Sequence, residues 1–141
     1  MSVDFEQLTG LWTRPLPEGS AALEAFSRLY AKRVKVNGTE IPLEALVERA
    51  RGMHSVFAEM SSTLLSKVDT PTHTAIVFRM RGKHVGPLPT PMGVLPPTGK
   101  VTERQVIDLL TVKEGRIVEV WMCSDELGAL AGIGALQLAS Q

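Results

Sequence analysis

Asp108 is the residue whose sequence surroundings point most directly to chemistry. It lies in the segment RQVIDLLTVKEGRIVEVWM, residues 104–122, which is typical of two antiparallel strands joined by a turn. If Lys113–Gly115 form a three-residue loop with its glycine in the left-handed region, Asp108 lies opposite Val120. The same face then pairs Val106 with Met122 and Leu110 with Val118. Asp108 is thus predicted to be the one charge between these apolar neighbours.

A carboxylate in that setting loses hydration, which raises its pKa toward the range useful for proton transfer. We therefore predict that Asp108 is the acid or base of a catalytic site. The alternative is structural, because the carboxylate could pair with Arg79, Arg81 or a backbone N–H and simply fix the sheet. The sequence leaves both interpretations open.

The opposite face of the same two strands has a mixed composition. It carries Gln105, Ile107, Leu109 and Thr111 beside Ile117, Glu119, Trp121 and Cys123. We expect this outer face to meet solvent or a second subunit, and a large aromatic with one polar edge such as Trp121 suits a subunit contact.

The stretch GVLPPTGKVT, residues 93–102, has some features of a phosphate-binding loop but not its spacing. Five residues separate its two glycines where such loops have four, and valine follows the lysine where they have serine or threonine. Pro96 and Pro97 also lack the backbone N–H groups that would surround a phosphate. The stretch is therefore interpreted as a proline-stiffened loop between two strands.

Two further polar residues are candidates for the site. His54 is in phase with an apolar helical stripe that includes Leu43, Val47 and Ala50, so it is predicted to face the interior, either as a core histidine or as a site residue. Asn37 directly precedes Gly38, which turn formation alone would explain, although a pocket amide is the alternative.

Composition limits the classes of function. The 141 residues suffice for one domain with a substantial core, and we treat residues 1–141 as a single domain. Fifteen basic and fifteen acidic residues give no net charge that would favour nucleic acid or an anionic membrane. Cys123, the one cysteine, excludes an internal disulfide and fits a reducing compartment. The N-terminal segment carries acids rather than the bases of a secretion signal, and no apolar run reaches about 18 residues, so we expect a cytoplasmic protein.

Periodicity divides the chain into a helical half and a strand half. After a loose start, apolar spacing predicts helices over residues 20–31 and 42–58. Beyond Ser61 the period changes to two, and STLLSKVD, HTAIVFRM, TERQVIDLLTV and RIVEVWMCSD are predicted to be strands of a meander. Helices followed by strands favour an α+β fold, in which helices cover one face of an antiparallel sheet.

The segments RGKHVG, PPTGKVT and GRIVEVWMCSDELGAL resemble corresponding segments of the SnoaL-like polyketide cyclases, which belong to the nuclear transport factor 2-like superfamily. The resemblance covers about residues 20–135. It implies a cone-shaped α+β barrel of the cystatin-like type, with a curved antiparallel sheet wrapped on the N-terminal helices around an apolar pocket. It also implies homodimers formed through the outer sheet face, and it places the stretch 93–102 at the pocket rim.

The sequence departs from this family at the residues that carry its chemistry. In the cyclases the acid/base is an aspartate immediately after the final-strand tryptophan, with histidines just before that tryptophan and on the neighbouring strand. Here Met122 follows Trp121, Val120 precedes it, and Asp108 holds the neighbouring-strand position. His84 does lie at a family histidine position near a strand end, where it would line the pocket mouth or make a hydrogen bond at the rim.

Two functions fit these observations. The first is a cofactor-independent cyclase, isomerase or dehydratase that acts on a hydrophobic polyketide-like or terpenoid substrate, with Asp108 moving the proton and His54 or His84 orienting a carbonyl. The second is a binding protein that holds an apolar small molecule in the same pocket without chemistry. Neither requires a metal or a cofactor. The predicted pocket lining is Asn37, Phe57, Phe78, Met80, Val106, Leu110, Val120 and Met122.

Overall fold

The computed structural model describes residues 2–139 of the chain. Within them lie four helices, three in the N-terminal half and one after the last strand. They are α1 (Phe5–Thr13), α2 (Ser20–Ser27), α3 (Leu43–Val56) and α4 (Glu126–Gly132). The arrangement confirms the predicted α+β class.

In the described part of the chain, six strands form one curved sheet, and two short strands form a separate hairpin. The strands are β1 (Tyr30–Val36), β2 (Thr39–Pro42), β3 (Phe57–Asp69), β4 (His73–His84), β5 (Leu88–Thr90), β6 (Gly93–Leu95), β7 (Val101–Lys113) and β8 (Arg116–Ser124). In the sheet the order is β2-β1-β8-β7-β4-β3, and β5 pairs with β6. The predicted meander is present as β3-β4-β7-β8. One pair departs from the antiparallel expectation, because β1 runs parallel to β8.

The N-terminal segment is more ordered than the loose start that we predicted. Asp4 caps α1, since its carboxylate accepts a hydrogen bond from the backbone N–H of Gln7 at 3.0 Å. Phe5 and Leu8 are buried, and the Phe5 ring meets the Phe78 ring of β4 edge to face at 5.6 Å. These contacts attach α1 to the inner face of the sheet.

The predicted helix over residues 20–31 is too long. Helix α2 ends at Ser27, and Tyr30 begins β1, where its backbone pairs with Ile117 of β8. The stacked rings of Phe26 and Tyr30 lie 5.8 Å apart, so the aromatic spacing that resembled a continuous helix joins a helix to a strand. Helix α3 agrees with the prediction within two residues, and Phe57 begins β3 instead of ending the helix.

The turn between β7 and β8 differs from the predicted three-residue loop. Lys113 pairs with Arg116, so the turn has two residues, Glu114 and Gly115, with φ of 54° and 75°. Positive φ at both positions is the turn whose twist matches a hairpin. The register then shifts between Thr111 and the next residue of β7.

As a result Asp108 pairs with Met122 and not with Val120, a displacement of two residues. Side chains alternate with a period of two, so this displacement leaves Asp108 on the predicted face. The register shift does change the face on which Ile117 lies. The sequence predicts this residue on the outer face, but it is fully buried. The outer-face pairs are Ile107 with Cys123, Leu109 with Trp121, and Thr111 with Glu119.

Residues 85–100, between β4 and β7, contain the β5–β6 hairpin and the prolines of the stretch 93–102. Gly86 packs so closely against the end of α3 that an added Cβ would overlap the backbone carbonyl of Ser55. His84 and Thr98 join the two ends of the segment through their side chains. No helix among residues 2–139 is both long and apolar enough to cross a membrane.

Candidate active site

A cavity of about 250 Å³ lies between the helices and the inner face of the sheet. Its apolar wall comes from α1, α3 and four strands and includes Leu8, Trp12, Leu46, Met53, Phe78, Met80, Val106, Val120 and Met122. Its polar side chains include Tyr30, Arg49, Arg104, Asp108, Ser124 and Glu126. Arg49, Met122 and Glu126 are exposed, so the cavity is open to solvent at these side chains.

Asp108 lies on the inner face of β7, between Ile76 of β4 and Met122 of β8. The residue is 8% exposed, and its Oδ1 is buried without a hydrogen-bond partner among the described residues. Burial raises the pKa of this carboxyl from its usual 3.8 to about 7. A group with that pKa can both take and return a proton near neutral pH.

The structural alternative for Asp108 is a partner at Arg79, Arg81 or a backbone N–H, and its Oδ1 has no hydrogen-bond partner among the described residues. Arg79 is exposed, and the Arg81 guanidinium instead lies 3.7 Å from the Glu103 carboxylate on the outer side. Within residues 2–139, Asp108 has no ion pair. The carboxyl is therefore not part of the salt bridges that hold the sheet.

Tyr30 provides a second polar group in the same cavity. Its hydroxyl accepts a hydrogen bond from Trp12 Nε1 at 3.1 Å, and no described residue accepts the hydroxyl proton. Burial raises the pKa of Tyr30, the hydrogen bond from Trp12 lowers it by less, and the nearby charge of Asp108 raises it further. The hydroxyl consequently stays protonated and can donate to a ligand.

Arg104 is the third polar group, four residues before Asp108 on the same face of β7. Its Nη1 donates to Glu126 Oε1 at 2.9 Å, and its guanidinium carbon lies 4.8 Å from the centre of the Phe57 ring. Ser124 Oγ donates to the same Glu126 oxygen at 2.6 Å. Arg104 Nη2 is buried and has no partner among residues 2–139.

The structure brings together five of the eight predicted lining residues. Phe78, Met80, Val106, Val120 and Met122 line the cavity with Asp108, whereas Leu110 is buried in the core behind the wall. Phe57 lies beneath Arg104 and faces an open groove outside the cavity.

Asn37 is exposed and is not part of the cavity wall. Its backbone has a φ of 47°, and its side-chain Oδ1 accepts a hydrogen bond from the Met122 backbone N–H at 2.8 Å. Asn37 thereby joins the β1–β2 turn to β8 and holds Met122 in place at the cavity mouth.

Neither candidate histidine lines this cavity. His54 is in the open groove between α1, α3 and β3, where its Nε2 is buried without a partner among the described residues and burial lowers the pKa of the ring. His84 is fully buried, with its ring 6.1 Å from that of Phe57. The Thr98 backbone N–H donates to His84 Nδ1 at 3.3 Å, so this ring nitrogen is engaged by the loop and not by the cavity.

No group of three or more His, Cys, Asp or Glu side chains within residues 2–139 is arranged to hold a metal ion. Cys123 is exposed on the outer face.

A model of the SnoaL-like polyketide cyclase family matches residues 17–133 of the chain. The chain belongs to this family. None of the curated proteins matches it by sequence. Solved structures that resemble it include IdmH, a candidate polyketide cyclase from Streptomyces antibioticus. That protein is 26% identical, with a TM-score of 0.69 over 92% of this chain and 96% of the other.

Two more distant solved structures share the fold. A candidate polyketide cyclase from Acidithiobacillus ferrooxidans is 17% identical, with a TM-score of 0.73 over 95% of this chain and 98% of the other. TsrD from Streptomyces laurentii is 19% identical, with a TM-score of 0.73 over 96% of this chain and 100% of the other.

The β7–β8 register relates this SnoaL-like protein to the catalytic pattern that the resemblance implies. In that implied pattern the aspartate would stand at Met122 and a histidine of the neighbouring strand at Asp108. Because Asp108 and Met122 are directly paired, their Cβ atoms are about 5 Å apart. Asp108 and Met122 both face the same cavity from adjacent strands.

Sequence reasoning missed Tyr30 and Arg104. Tyr30 was assigned to a helix, and the signal that places it on a strand is its pairing with β8, which lies far away in sequence. Arg104 could have been found, because it has the same parity as Val106 and Asp108 on one strand.

Proposed function

We propose that this SnoaL-like protein is a cofactor-independent acid–base enzyme, a cyclase, isomerase or dehydratase acting on a hydrophobic polyketide-like or terpenoid substrate. The observation that carries the proposal is the Asp108 carboxyl, buried without an ion pair at the wall of an apolar cavity. Such a carboxyl is poised between its two protonation states near neutral pH. Burying a carboxyl without a partner lowers the stability of the folded protein, and a purely structural role would not explain that cost.

The proposed first step is proton removal from a carbon next to a substrate carbonyl. The Asp108 carboxylate takes the proton, the electrons of the C–H bond form an enolate, and Asp108 becomes a carboxylic acid. In a cyclisation the enolate carbon attacks a second carbonyl of the same molecule, and the resulting alkoxide takes the proton back from Asp108. In an isomerisation the proton returns to another carbon, and in a dehydration it leaves with a hydroxyl group as water.

Tyr30 is the proposed donor to the enolate oxygen. Its hydroxyl proton is free because Trp12 donates to the oxygen from the other side. Preorganised donors of this kind stabilise negative charge as it develops in the transition state. Tyr30 would thus perform the carbonyl-polarising role that the sequence suggested for His54 or His84.

Proton exchange tests the proposal without a known substrate. The probe is tetralone, a bicyclic aromatic ketone, and the readout is deuterium uptake from D₂O next to its carbonyl, followed by NMR. We expect the protein to accelerate the uptake and Asp108→Asn to reduce the catalysed rate by about 10²–10⁴-fold. Asp4→Asn is the matched control, because Asp4 caps α1 outside the cavity. Equal rates in wild type and Asp108→Asn would end the assignment of Asp108.

The second candidate is a binding protein for an apolar small molecule. It is favoured by Met122 at the family's acid position and by the location of both His54 and His84 outside the cavity. Extraction of the purified protein followed by mass spectrometry separates the two functions when the recovered compound is incubated with fresh protein. Conversion of that compound supports the enzyme, and its recovery unchanged supports the binding protein.

We also propose a homodimer through the outer sheet face. Ile107, Leu109 and Trp121 are 48%, 41% and 49% exposed on adjacent strands there, which is a large apolar exposure for three central sheet positions. A second copy of the same face would cover them.

A further inference from the structure

Arg104 has an unused hydrogen-bond donor beside the Asp108 cavity. The side chain is 11% exposed, and of its two terminal nitrogens Nη1 donates to Glu126 while Nη2 has no partner among the described residues. A buried donor without a partner loses the hydration it had in water. A ligand oxygen placed at Nη2 would restore that hydrogen bond.

The guanidinium is held in place from several sides. The Phe57 ring lies beneath it, Glu126 holds Nη1, and Ser124 holds the Glu126 carboxylate in turn. On the strand, Arg104 pairs with Met80, another residue of the cavity wall. A donor fixed in this way loses little conformational entropy when a ligand binds.

Arg104 and Asp108 are separated along the strand. Four residues of β7 place their Cα atoms about 13 Å apart. An oxygen bound at Arg104 is therefore remote from the carbon that would meet Asp108, and it belongs to the far end of the ligand.

The charges at the cavity favour an anion at this end. Arg104 carries a permanent positive charge there, while Glu126, the one carboxylate paired with it within residues 2–139, is about half exposed. A guanidinium binds a carboxylate more strongly than a neutral oxygen and does so through two N–H groups when geometry allows.

We propose that Arg104 determines substrate specificity by binding a carboxylate at the far end of an otherwise apolar substrate. The inference rests on the proposed function only in taking the cavity as the substrate site. Arg104 is a recognition residue here, and the proton-transfer step is left to Asp108 and Tyr30.

The test compares two ligands of the same shape by isothermal titration calorimetry. The probes are naphthoate and methylnaphthalene, both substituted at the same ring carbon. We expect wild type to bind naphthoate at least about tenfold more tightly. Arg104→Met should abolish this preference while keeping the affinity for methylnaphthalene, which also shows that the cavity is intact. If Arg104→Met is unstable, Arg104→Lys replaces it and should reduce the preference, since lysine keeps the charge without the planar fork.

Two further variants separate Arg104 from its surroundings. Arg49→Met removes the other arginine of the cavity wall and should retain the preference. Glu126→Gln removes the competing carboxylate and should strengthen naphthoate binding while leaving methylnaphthalene unchanged. An equal affinity of wild type for both probes, or a preference lost in Arg49→Met and kept in Arg104→Met, overturns the inference. Because no turnover is measured, a failure of the Asp108 exchange test leaves this result unaffected.

Discussion

Replacing Asp108 with asparagine should remove a large part of the pH dependence of this protein's stability. In the folded protein the pKa of Asp108 is about 7, against the ordinary value of 3.8 that it regains on unfolding. Between these two values the folded state holds a proton that the unfolded state has released. Raising the pH through this range therefore favours unfolding. The stability that Asp108 contributes is complete below 3.8 and is lost as the pH passes 7.

The magnitude follows from the same two values. Each unit of difference in pKa corresponds to about 1.4 kcal/mol, so the full effect is about 4 kcal/mol. This conversion is appropriate because Asp108 is only 8% exposed and solvent screens it little. Asparagine has a similar shape and cannot ionise. The free energy of unfolding of Asp108→Asn minus that of wild type should thus be about 4 kcal/mol larger at pH 8 than at pH 4.

Urea unfolding followed by circular dichroism measures this difference, with protein concentration held constant so that any dimerisation contributes equally. Asp69→Asn is a control of opposite sign. The hydrogen bond from Thr74 is the main cause that lowers the pKa of Asp69 below its ordinary value of 3.8. Asp69 therefore stabilises the folded protein above pH 3.8, and this stabilisation is lost as the pH falls through its lowered pKa. The contrary result is a difference in free energy of unfolding between Asp108→Asn and wild type that is the same at both pH values. Asp108 would then titrate as it does in water, and the conclusion that it is buried among apolar side chains would be wrong.

Four other predictions concern the site, its supports and the outer sheet face. Tyr30→Phe should slow deuterium uptake into tetralone about 10²-fold by NMR, because the donor to the enolate oxygen is lost, and an unchanged rate would exclude that role. The same exchange rate should rise with pH through about 7 in wild type as Asp108 ionises, and a flat profile would identify another base. Asn37→Ala should lower the free energy of unfolding in urea by about 1 kcal/mol, since the Met122 N–H loses its acceptor, and a wild-type value would show that water replaces it. Leu109→Lys should shift the sedimentation coefficient from dimer to monomer if the outer face forms the subunit contact, whereas an unchanged dimer would place the contact elsewhere.

The sequence was sufficient to predict the inner face of β7 even though the strand pairing was displaced. Val106, Asp108 and Leu110 alternate with exposed residues, and a displacement of two along β8 preserves that alternation. The error arose at the turn, where Glu114 adopts a left-handed conformation that sequence preferences assign to glycine. The sequence thus predicted the face of the sheet on which Asp108 lies, but not the residue of β8 with which it pairs.

Long-range pairing explains what the sequence could not predict. Tyr30 follows Phe26 at helical spacing, but its backbone pairs with Ile117, which lies in the last strand. His54 shares the helical spacing of the apolar stripe of α3, which predicted an inward position. However, the stripe runs past the cavity, so its last turn meets the groove beside β3 instead. A periodic pattern gives the direction of a side chain and not the identity of the space that it enters.

The paired residues Asp108 and Met122 differ in exposure, and this difference has a consequence for a carboxyl placed at either position. Met122 is 48% exposed at the cavity mouth, whereas Asp108 is 8% exposed on the adjacent strand. A carboxylate at the outer position would keep much of its hydration and hence an ordinary pKa, so it would need neighbouring groups to act near neutral pH. At the inner position burial alone raises the pKa to about 7, without a histidine beside it. In the proposed mechanism the depth of Asp108 therefore takes the place of the neighbouring histidines that the resemblance implies, because burial alone brings this carboxyl into the range for proton exchange.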